Sequence, residues 1–288
     1  MSRGEGIRRL ERQLRLLRRV ARIVPLHQAL AYLAQQRPFG TRVALTFDDG
    51  YRDNLDAAVP LLERLGLPAT FFLVPNLLSR RVRPWWEVLA WAFARSDRDR
   101  LRWEGEDYQM SSPGLRRMAL ESVAERLKVR DGAAREAALD GLIDELCPVG
   151  PGDVDELFLD WEGARSLARR GFSVGSHSMR HVILSRESPD DQRRDLLESR
   201  RQLEAGLQVP VKLLAYPNGT PADYDQVTID AAAHAGYTHA VTTTAGVNDS
   251  VTPPFELRRY VLSPVDDLAE WVRLFRDLAK ASLKPAGP

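Results

Sequence analysis

Residues 43–50, Val-Ala-Leu-Thr-Phe-Asp-Asp-Gly, join an apolar run directly to two adjacent aspartates and a glycine. The apolar run predicts a buried parallel strand, which would place the acidic pair at the carboxyl end of that strand. Ligand sites in parallel α/β folds lie at this end, and adjacent carboxylates repel each other unless a cation holds them. Because Asp-Gly is also common in solvated turns, this stretch alone fits a metal site and an ordinary turn equally well.

Short runs rich in β-branched and aromatic residues recur along the chain and alternate with helical patterns. The predicted strands are 43–47, 70–74, 172–175, 211–216, 238–243 and 257–262. The predicted helices outside residues 80–160 are 54–65, 162–170, 189–206, 223–235 and 266–280. Alternation of strand and helix is typical of a parallel sheet, open or closed into a barrel, so these patterns predict an α/β fold.

Residues 80–160 interrupt this alternation. They contain helical patterns at 85–95, 114–130 and 133–146, and a short aromatic piece at 101–110 that could form a hairpin. We therefore predict a single domain over 1–288 with a mainly helical insertion at 80–160 that could serve as a lid.

The N-terminal segment, residues 1–40, is basic and contains an amphipathic helical pattern over 7–24. Its apolar face carries Ile7, Leu10, Leu14, Leu17 and Val24, and seven arginines cover the other face. Such a helix can lie on an anionic membrane surface, or it can pack its apolar stripe on the body of the protein. The pattern leaves both alternatives open.

The charge, the cysteine count and the apolar segments of the sequence bear on the expected partners and cellular compartment. The net charge of +1 gives no reason to expect nucleic acid as a partner, and the single cysteine excludes an internal disulfide. No apolar leader segment and no run of about 18 apolar residues occur, so we predict neither a signal peptide nor a membrane span. We expect a cytoplasmic protein, with peripheral membrane contact through 7–24 as an open alternative.

Two further strand ends carry polar motifs. His177 and His181 follow the apolar strand at 172–175, and His-x-x-x-His on a helical turn presents two nitrogen ligands to zinc on one face. By itself this spacing is weak evidence for a metal site, but together with Asp48 and Asp49 it indicates one. The turn at 216–219, Tyr-Pro-Asn-Gly, can aim a backbone N–H at an oxyanion, or it can simply end a strand.

Three motifs in this order resemble those of the polysaccharide deacetylases, the NodB-homology or carbohydrate esterase family 4 group: Thr-Phe-Asp-Asp-Gly at 46–50, His-Ser-x-x-His at 177–181 and Tyr-Pro-x-Gly at 216–219. The flanking sequence agrees, with Ala-Thr-Phe-Phe-Leu at 69–73 and with Trp161 and Gly171 before the histidines. The resemblance covers 41–80 and 155–262 and implies an irregular (β/α) barrel of seven or eight strands.

The resemblance also implies roles for individual residues. Asp49, His177 and His181 match the metal-binding triad of the family, so the expected cofactor is a divalent metal, most often Zn²⁺. Asp48 matches the general base that takes a proton from the attacking water, and the backbone N–H of Asn218 matches the oxyanion donor. The implied activity is metal-dependent removal of N-acetyl groups from amino sugars in a glycan or glycan precursor.

The sequence departs from the family pattern at two places. Ala215 stands where many members have the arginine that orients the base, and a branch with Ala-Tyr-Pro uses an arginine from a later strand, for which Arg258 and Arg259 are the candidates. The late motif that carries the general-acid histidine in many members reads Val-Leu-Ser-Pro at 261–264. The general acid is therefore unassigned, and we expect the remaining late histidines, His234 and His239, to be ordinary residues.

Three aromatic residues are candidates for substrate contact: Tyr216 in the third motif, and Trp85 and Trp86 in the insertion. Aromatic faces stack on sugar rings, although buried aromatic residues mostly serve packing. The expected partner is an N-acetylated sugar or oligosaccharide. Because no export signal is read, a soluble or lipid-linked precursor fits better than a cell-wall polymer.

Other functions stay open. A deformylase or an O-acetyl esterase would use the same scaffold, because its chemistry differs only at the acyl group and the leaving atom. A non-catalytic sugar-binding protein would explain the missing histidine acid. The non-catalytic alternative is disfavoured because all four candidate residues, Asp48, Asp49, His177 and His181, are present, and a protein that only binds sugar would gain little from them.

Overall fold

The computed structural model describes residues 3–34, 41–262 and 268–283. Within them the strands are β1 (Arg22–Ile23), β2 (Arg42–Val43), β3 (Thr46–Phe47), β4 (Thr70–Leu73), β5 (Arg100–Trp103), β6 (Glu106–Gln109), β7 (Ser173–Ser176), β8 (Leu213–Ala215) and β9 (His239–Val241). The central sheet is parallel, with the strand order β3-β4-β7-β8-β9. Strand β4 is fully buried, as expected for a parallel sheet covered by helices.

The helices are α1 (Arg3–Val20), α2 (Leu26–Ala34), α3 (Val59–Leu65), α4 (Pro75–Leu78), α5 (Trp85–Arg95), α6 (Pro113–Lys128), α7 (Gly132–Leu146), α8 (Trp161–Arg169), α9 (Pro189–Leu207), α10 (Gln226–Ala235) and α11 (Leu268–Leu283). A π-type turn, Asn54–Ala58, precedes α3. Residues with short polar side chains begin the first three helices that follow the insertion: the side chains of Asp160, Ser188 and Asp225 each accept a backbone N–H from the first turn. These caps fix where α8, α9 and α10 start.

Both edges of the central sheet are extended by short pairings. Strand β1 pairs in parallel with β2, which directly precedes β3, and the Val24 N–H donates to the Val43 carbonyl at 2.9 Å. At the other edge Leu257 forms a single bridge to Val241 and accepts a hydrogen bond from the Thr242 N–H at 2.8 Å. The result is a curled parallel half-barrel with helices around it. It confirms the predicted α/β barrel class, although the central sheet has five strands instead of seven or eight.

The predicted strand at 257–262 is wrong beyond its first residue. The Arg258 N–H donates to the side chain of Asn248 at 2.8 Å, and the Arg259 N–H donates to the Thr244 carbonyl at 3.0 Å. Because one of these acceptors is a side chain, the regular ladder stops at Leu257. The segment instead carries arginine side chains along the open edge of the half-barrel.

The residues between α4 and α8 form helices α5, α6 and α7 and the antiparallel hairpin β5–β6. They have a hydrophobic core of their own, which includes Leu101, Val123, Leu127 and Leu139. A separate small cluster, with Phe158 and the half-buried Trp86, joins this insertion to the barrel. The insertion therefore packs beside the barrel, and its action as a lid stays a prediction.

Helix α1 packs its apolar stripe against the body of the protein. Leu14 and Leu17 are buried, and Glu11 accepts hydrogen bonds from both Arg15 and Arg64, which ties α1 to α3. Most of the arginines on the opposite face are exposed. In the part of the chain that the structure describes, no helix has the length and apolarity needed to cross a membrane.

Candidate active site

The polar motifs meet because parallel strands end at one edge of the sheet. Asp48 and Asp49 follow β3, His177 follows β7, and Asn218 lies just beyond β8. Asp49, His181 and Asn218 have φ angles of 68°, 55° and 57°, in the left-handed region that non-glycine residues seldom adopt. Backbone strain of this kind collects at functional sites, where the surrounding structure holds it in place.

Asp49 faces both imidazoles of the His-x-x-x-His motif. Its Oδ1 atom lies 3.2 Å from His177 Nε2 and 3.1 Å from His181 Nε2. The other ring nitrogen of His177, Nδ1, lies 2.7 Å from the Ala215 carbonyl. Because a carbonyl oxygen only accepts, Nδ1 carries the proton, and Nε2 of the neutral ring turns its lone pair toward Asp49.

Two lone pairs at this distance repel each other unless a cation lies between them. Asp49 Oδ1 is buried and forms no hydrogen bond within the described residues, and His181 Nδ1 is likewise buried without a partner there. Ligands at 2.0–2.1 Å from a tetrahedral zinc ion are about 3.3 Å apart, close to the separations from Oδ1. The donor set of one carboxylate and two imidazoles therefore fits a divalent metal ion, and the three residues form a candidate metal centre.

The electrostatics of this cluster also favour a cation. Burial alone would favour the neutral acid of Asp49, but the two facing imidazoles outweigh burial and lower the pKa of that carboxyl. Burial lowers the pKa of His181. At His177 burial acts in the same direction, but Asp49 and Asp48 outweigh it and raise the pKa of that ring. An ionised carboxylate beside imidazole nitrogens attracts either a proton or a metal ion.

Asp48 is held by Arg259. The guanidinium donates to Asp48 Oδ1 at 2.9 Å and to Oδ2 at 2.8 Å, a bidentate pair. The same side chain also donates from Nε to the Thr242 carbonyl at 2.8 Å and from Nη1 to the Thr46 hydroxyl at 3.1 Å. Of the two arginine candidates, Arg259 contacts the carboxylate, whereas Arg258 is exposed.

Asn218 presents a backbone N–H at the turn after β8. Its carbonyl accepts from the Thr243 hydroxyl at 2.7 Å, and Gly219, with φ of 70°, completes the tight turn. Within the described part of the chain the Asn218 N–H has no protein acceptor. A strained turn with a free donor at the strand end is the geometry needed for an oxyanion contact.

The insertion supplies one wall of the site. The Trp86 ring lies against the His181 ring, with centroids 4.2 Å apart, and Trp86 Nε1 donates to the Tyr51 hydroxyl at 2.7 Å. That hydroxyl donates in turn to Glu87 Oε1 at 2.7 Å. Burial, Asp49 and Glu87 raise the pKa of Tyr51, so its phenol stays neutral. Sequence reasoning missed Tyr51 and Glu87, although Tyr51 directly follows the first motif.

Two of the three aromatic candidates for substrate contact are buried in the core. The Tyr216 ring is 0% exposed and stacks on Tyr224 with centroids 4.5 Å apart. Trp85 is 5% exposed and lies under the guanidinium of Arg135. Both side chains pack in the interior, and Trp86 is the most exposed of the three; substrate contact by any of them stays a prediction.

The late histidines lie outside the site. His234 is exposed, and its Nδ1 lies 2.7 Å from the Asp230 carbonyl of its own helix. His239 Nδ1 lies 3.0 Å from the hydroxyl of the adjacent Thr238. Within the described residues neither ring bonds to Asp48, and both form local hydrogen bonds, as expected of ordinary residues.

The structure thus combines a parallel α/β half-barrel with an Asp-His-His cluster and an arginine-bound aspartate at its strand ends. The chain belongs to the polysaccharide deacetylase family, whose model matches residues 36–240. The resemblance read from the three motifs is thereby confirmed.

Individual relatives are distant. A protein of Bacillus subtilis (strain 168), YxkH, provisionally assigned as a polysaccharide deacetylase, is 20% identical over 242 residues, or 84% of this chain and 59% of that protein. The chain thus spans 59% of the length of this curated relative.

Solved structures show the same fold. The Streptococcus pyogenes deacetylase PplD in complex with acetate matches with a TM-score of 0.58 and 16% identity, over 98% of this chain and 86% of that one. IcaB from Ammonifex degensii matches with a TM-score of 0.59 and 19% identity, over 94% and 88%. At these identities the similarity establishes the shared fold.

Proposed function

We propose that the protein is a metal-dependent hydrolase that removes N-acetyl groups from amino sugars in a glycan or glycan precursor. The main support is that Asp49 Oδ1 lies within 3.2 Å of the Nε2 atoms of both His177 and His181. Beside this cluster, Arg259 holds Asp48 in place. Asp49, His177 and His181 would hold the ion, most often zinc for this donor set. Membership of the polysaccharide deacetylase family supports the acyl group and the substrate class.

The chemistry divides among these residues. A divalent ion bound at the triad would polarise the acetyl carbonyl and acidify a water nearby. Asp48 accepts the proton of the attacking water, and the bidentate bonds from Arg259 hold its carboxylate in one orientation. The Asn218 N–H donates to the carbonyl oxygen as negative charge builds on it.

Cleavage of the amide breaks the C–N bond, forms a C–O bond from water and leaves a free amine that needs a proton. Within the described residues, His234 and His239 form local hydrogen bonds and none to Asp48. We therefore assign the return of the proton to Asp48 itself. One group then serves as base for the water and as acid for the amine.

A panel of acylated sugars tests this proposal. N-acetylglucosamine oligomers, their N-formyl counterparts and O-acetylated sugars are incubated with the zinc-loaded protein, and released acetate or formate is measured. We expect acetate release from the N-acetyl substrates at a higher kcat/KM than from the other two. Release of formate alone would identify a deformylase, and release from esters alone an O-acetyl esterase. Sugar binding without turnover would support the non-catalytic alternative.

We further propose that the substrate is a soluble or lipid-linked sugar reached from the cytoplasmic side, with α1 contacting the membrane surface. Exposed arginines on this helix, among them Arg8, Arg15 and Arg19, support that contact. Leu14 and Leu17 are buried in the protein body, so the attraction would be electrostatic. The anionic cytoplasmic leaflet attracts such basic segments.

Vesicle binding tests the membrane contact. Replacing Arg8, Arg15 and Arg19 together with Gln is expected to weaken binding to phosphatidylserine-containing vesicles by roughly 100-fold, because each arginine near the surface contributes about 1 kcal/mol. Sedimentation with these vesicles and with neutral phosphatidylcholine vesicles measures the effect.

The matched control for the vesicle experiment removes three exposed arginines elsewhere, Arg100, Arg117 and Arg201, and should leave binding unchanged. Equal binding of the wild type to neutral and anionic vesicles, or no binding to either, would argue against the contact.

A further inference from the structure

The loop that carries the two histidines has a conformation that needs support. Ser178 and His181 both lie in the left-handed region, with φ angles of 63° and 55°. Non-glycine residues in this region are strained, and they persist only where the surrounding structure holds them. The Ser178 hydroxyl accepts the His181 N–H at 2.9 Å, but this bond lies within the loop and does not anchor it to the rest of the protein.

Asp195, on α9, anchors the middle of this loop. Its Oδ1 accepts the Met179 N–H at 2.6 Å, and its Oδ2 accepts Arg180 Nε at 3.0 Å. From the other side the Asn76 N–H donates to the Met179 carbonyl at 3.2 Å. The backbone of Met179, midway between the two histidines, is therefore held from α9 and from α4 at once.

The same anchor reaches the insertion. Arg180 Nη2 donates to Glu187 Oε2 at 3.3 Å, and Glu187 Oε1 accepts the Gly132 N–H at the start of α7 at 3.0 Å. A chain of charge-assisted hydrogen bonds thus runs from Asp195 through Arg180 and Glu187 to α7. The insertion and the histidine loop are fixed to each other through side chains that touch no sugar-binding surface assigned above.

Burying the Asp195 carboxylate at this position costs free energy. It is 3% exposed, and burial raises its pKa to about 6 in spite of the bonds from Met179 and Arg180. Buried ionic groups add little net stability compared with well-packed apolar residues, so stability alone does not account for this carboxylate. Its bonds lie beside both candidate metal ligands, which indicates a role in holding them.

We propose that Asp195 is a positioning residue for the metal centre: it clamps Met179 and Arg180 so that His177 and His181 present their Nε2 atoms to one ion. This inference rests on the proposed function, because it takes the two histidines as ligands. Groups that orient metal ligands from behind contribute strongly to metal affinity.

Zinc affinity measured by competition with a chromophoric chelator tests the clamp. Asp195→Ala is expected to weaken zinc binding by about 10–100-fold, as loss of a ligand-orienting group does. Asp195→Asn keeps an oxygen for the Met179 N–H but not the charge for Arg180, so its affinity should lie between those of the wild type and Asp195→Ala. Circular dichroism and thermal unfolding establish that each variant is folded.

Thr228→Val is the matched control, because it removes another buried polar group, the partner of Gln192, between α9 and α10. It should lower the melting temperature and leave zinc affinity unchanged. If Asp195→Ala does not fold, Arg180→Met is used, and weaker zinc binding is again expected. A folded Asp195→Ala, or Arg180→Met in its place, with wild-type zinc affinity would overturn this inference alone. A wild type that binds no zinc would overturn the proposed function and the inference together.

Discussion

Asp48→Asn is expected to lower kcat for acetate release by about 10²–10⁴-fold, the usual contribution of a general base, while zinc stays bound. Asparagine has nearly the same shape as aspartate and can still accept one hydrogen bond from Arg259, but its amide cannot take a proton from water. Asp48 does not belong to the Asp-His-His cluster, so the metal centre should survive the change. Steady-state acetate release at saturating zinc measures the effect.

The control for Asp48→Asn is the same replacement at Asp107, an exposed residue of the β5–β6 hairpin. Asp107→Asn should be as active as the wild type. A zinc-loaded Asp48→Asn protein with wild-type kcat would show that another group activates the water.

His181→Ala is expected to weaken zinc binding by more than about 100-fold, because losing a ligand must cost at least as much as losing a group that only orients one. The imidazole Nε2 lies 3.1 Å from Asp49 Oδ1, and alanine offers no donor to replace it. Acetate release at micromolar zinc should fall to background. Isothermal titration of the metal-stripped protein measures the affinity directly.

His234→Ala provides the comparison for His181→Ala, since it removes an exposed imidazole on α10. Both zinc affinity and activity should stay at wild-type values in that variant. Tight, stoichiometric zinc binding by His181→Ala would mean that the ion is held elsewhere in the chain.

The strand ends were the most predictable part of the site. Apolar runs followed by Asp48, Asp49 and His177 identify the carboxyl edge of a parallel sheet from the pattern alone. Residues that are far apart in sequence then meet because neighbouring parallel strands end together. The tautomer of His177 could not be predicted in this way, because it depends on the Ala215 carbonyl of a neighbouring strand and has no local sequence signal.

For two pairs of adjacent candidate residues, the sequence could not predict which side chain points into the site. Trp85 and Trp86 are about 100° apart on α5, so only one can face His181, and the pattern does not say which. Arg258 and Arg259 raise the same question at an irregular edge, where the ladder ends at Leu257. In both pairs tertiary packing decides.

Contacts made by the insertion lay beyond local patterns altogether. The Tyr51–Glu87 hydrogen bond and the Glu187–Gly132 bond depend on how α5 and α7 dock on the barrel. In the sequence, Asp195 looks like any other polar residue of an amphipathic helix. Only its buried position and its hydrogen bond to Met179 in the structure distinguish it.

The division of labour between the two adjacent aspartates is tested most directly by comparing Asp48→Asn with Asp49→Asn. Bound zinc and the rate of acetate release from an N-acetylglucosamine oligomer are measured on the same preparations. We predict that Asp48→Asn retains its zinc and loses turnover, whereas Asp49→Asn loses both. Zinc loss in Asp48→Asn together with zinc retention in Asp49→Asn would contradict the assignment of base and ligand.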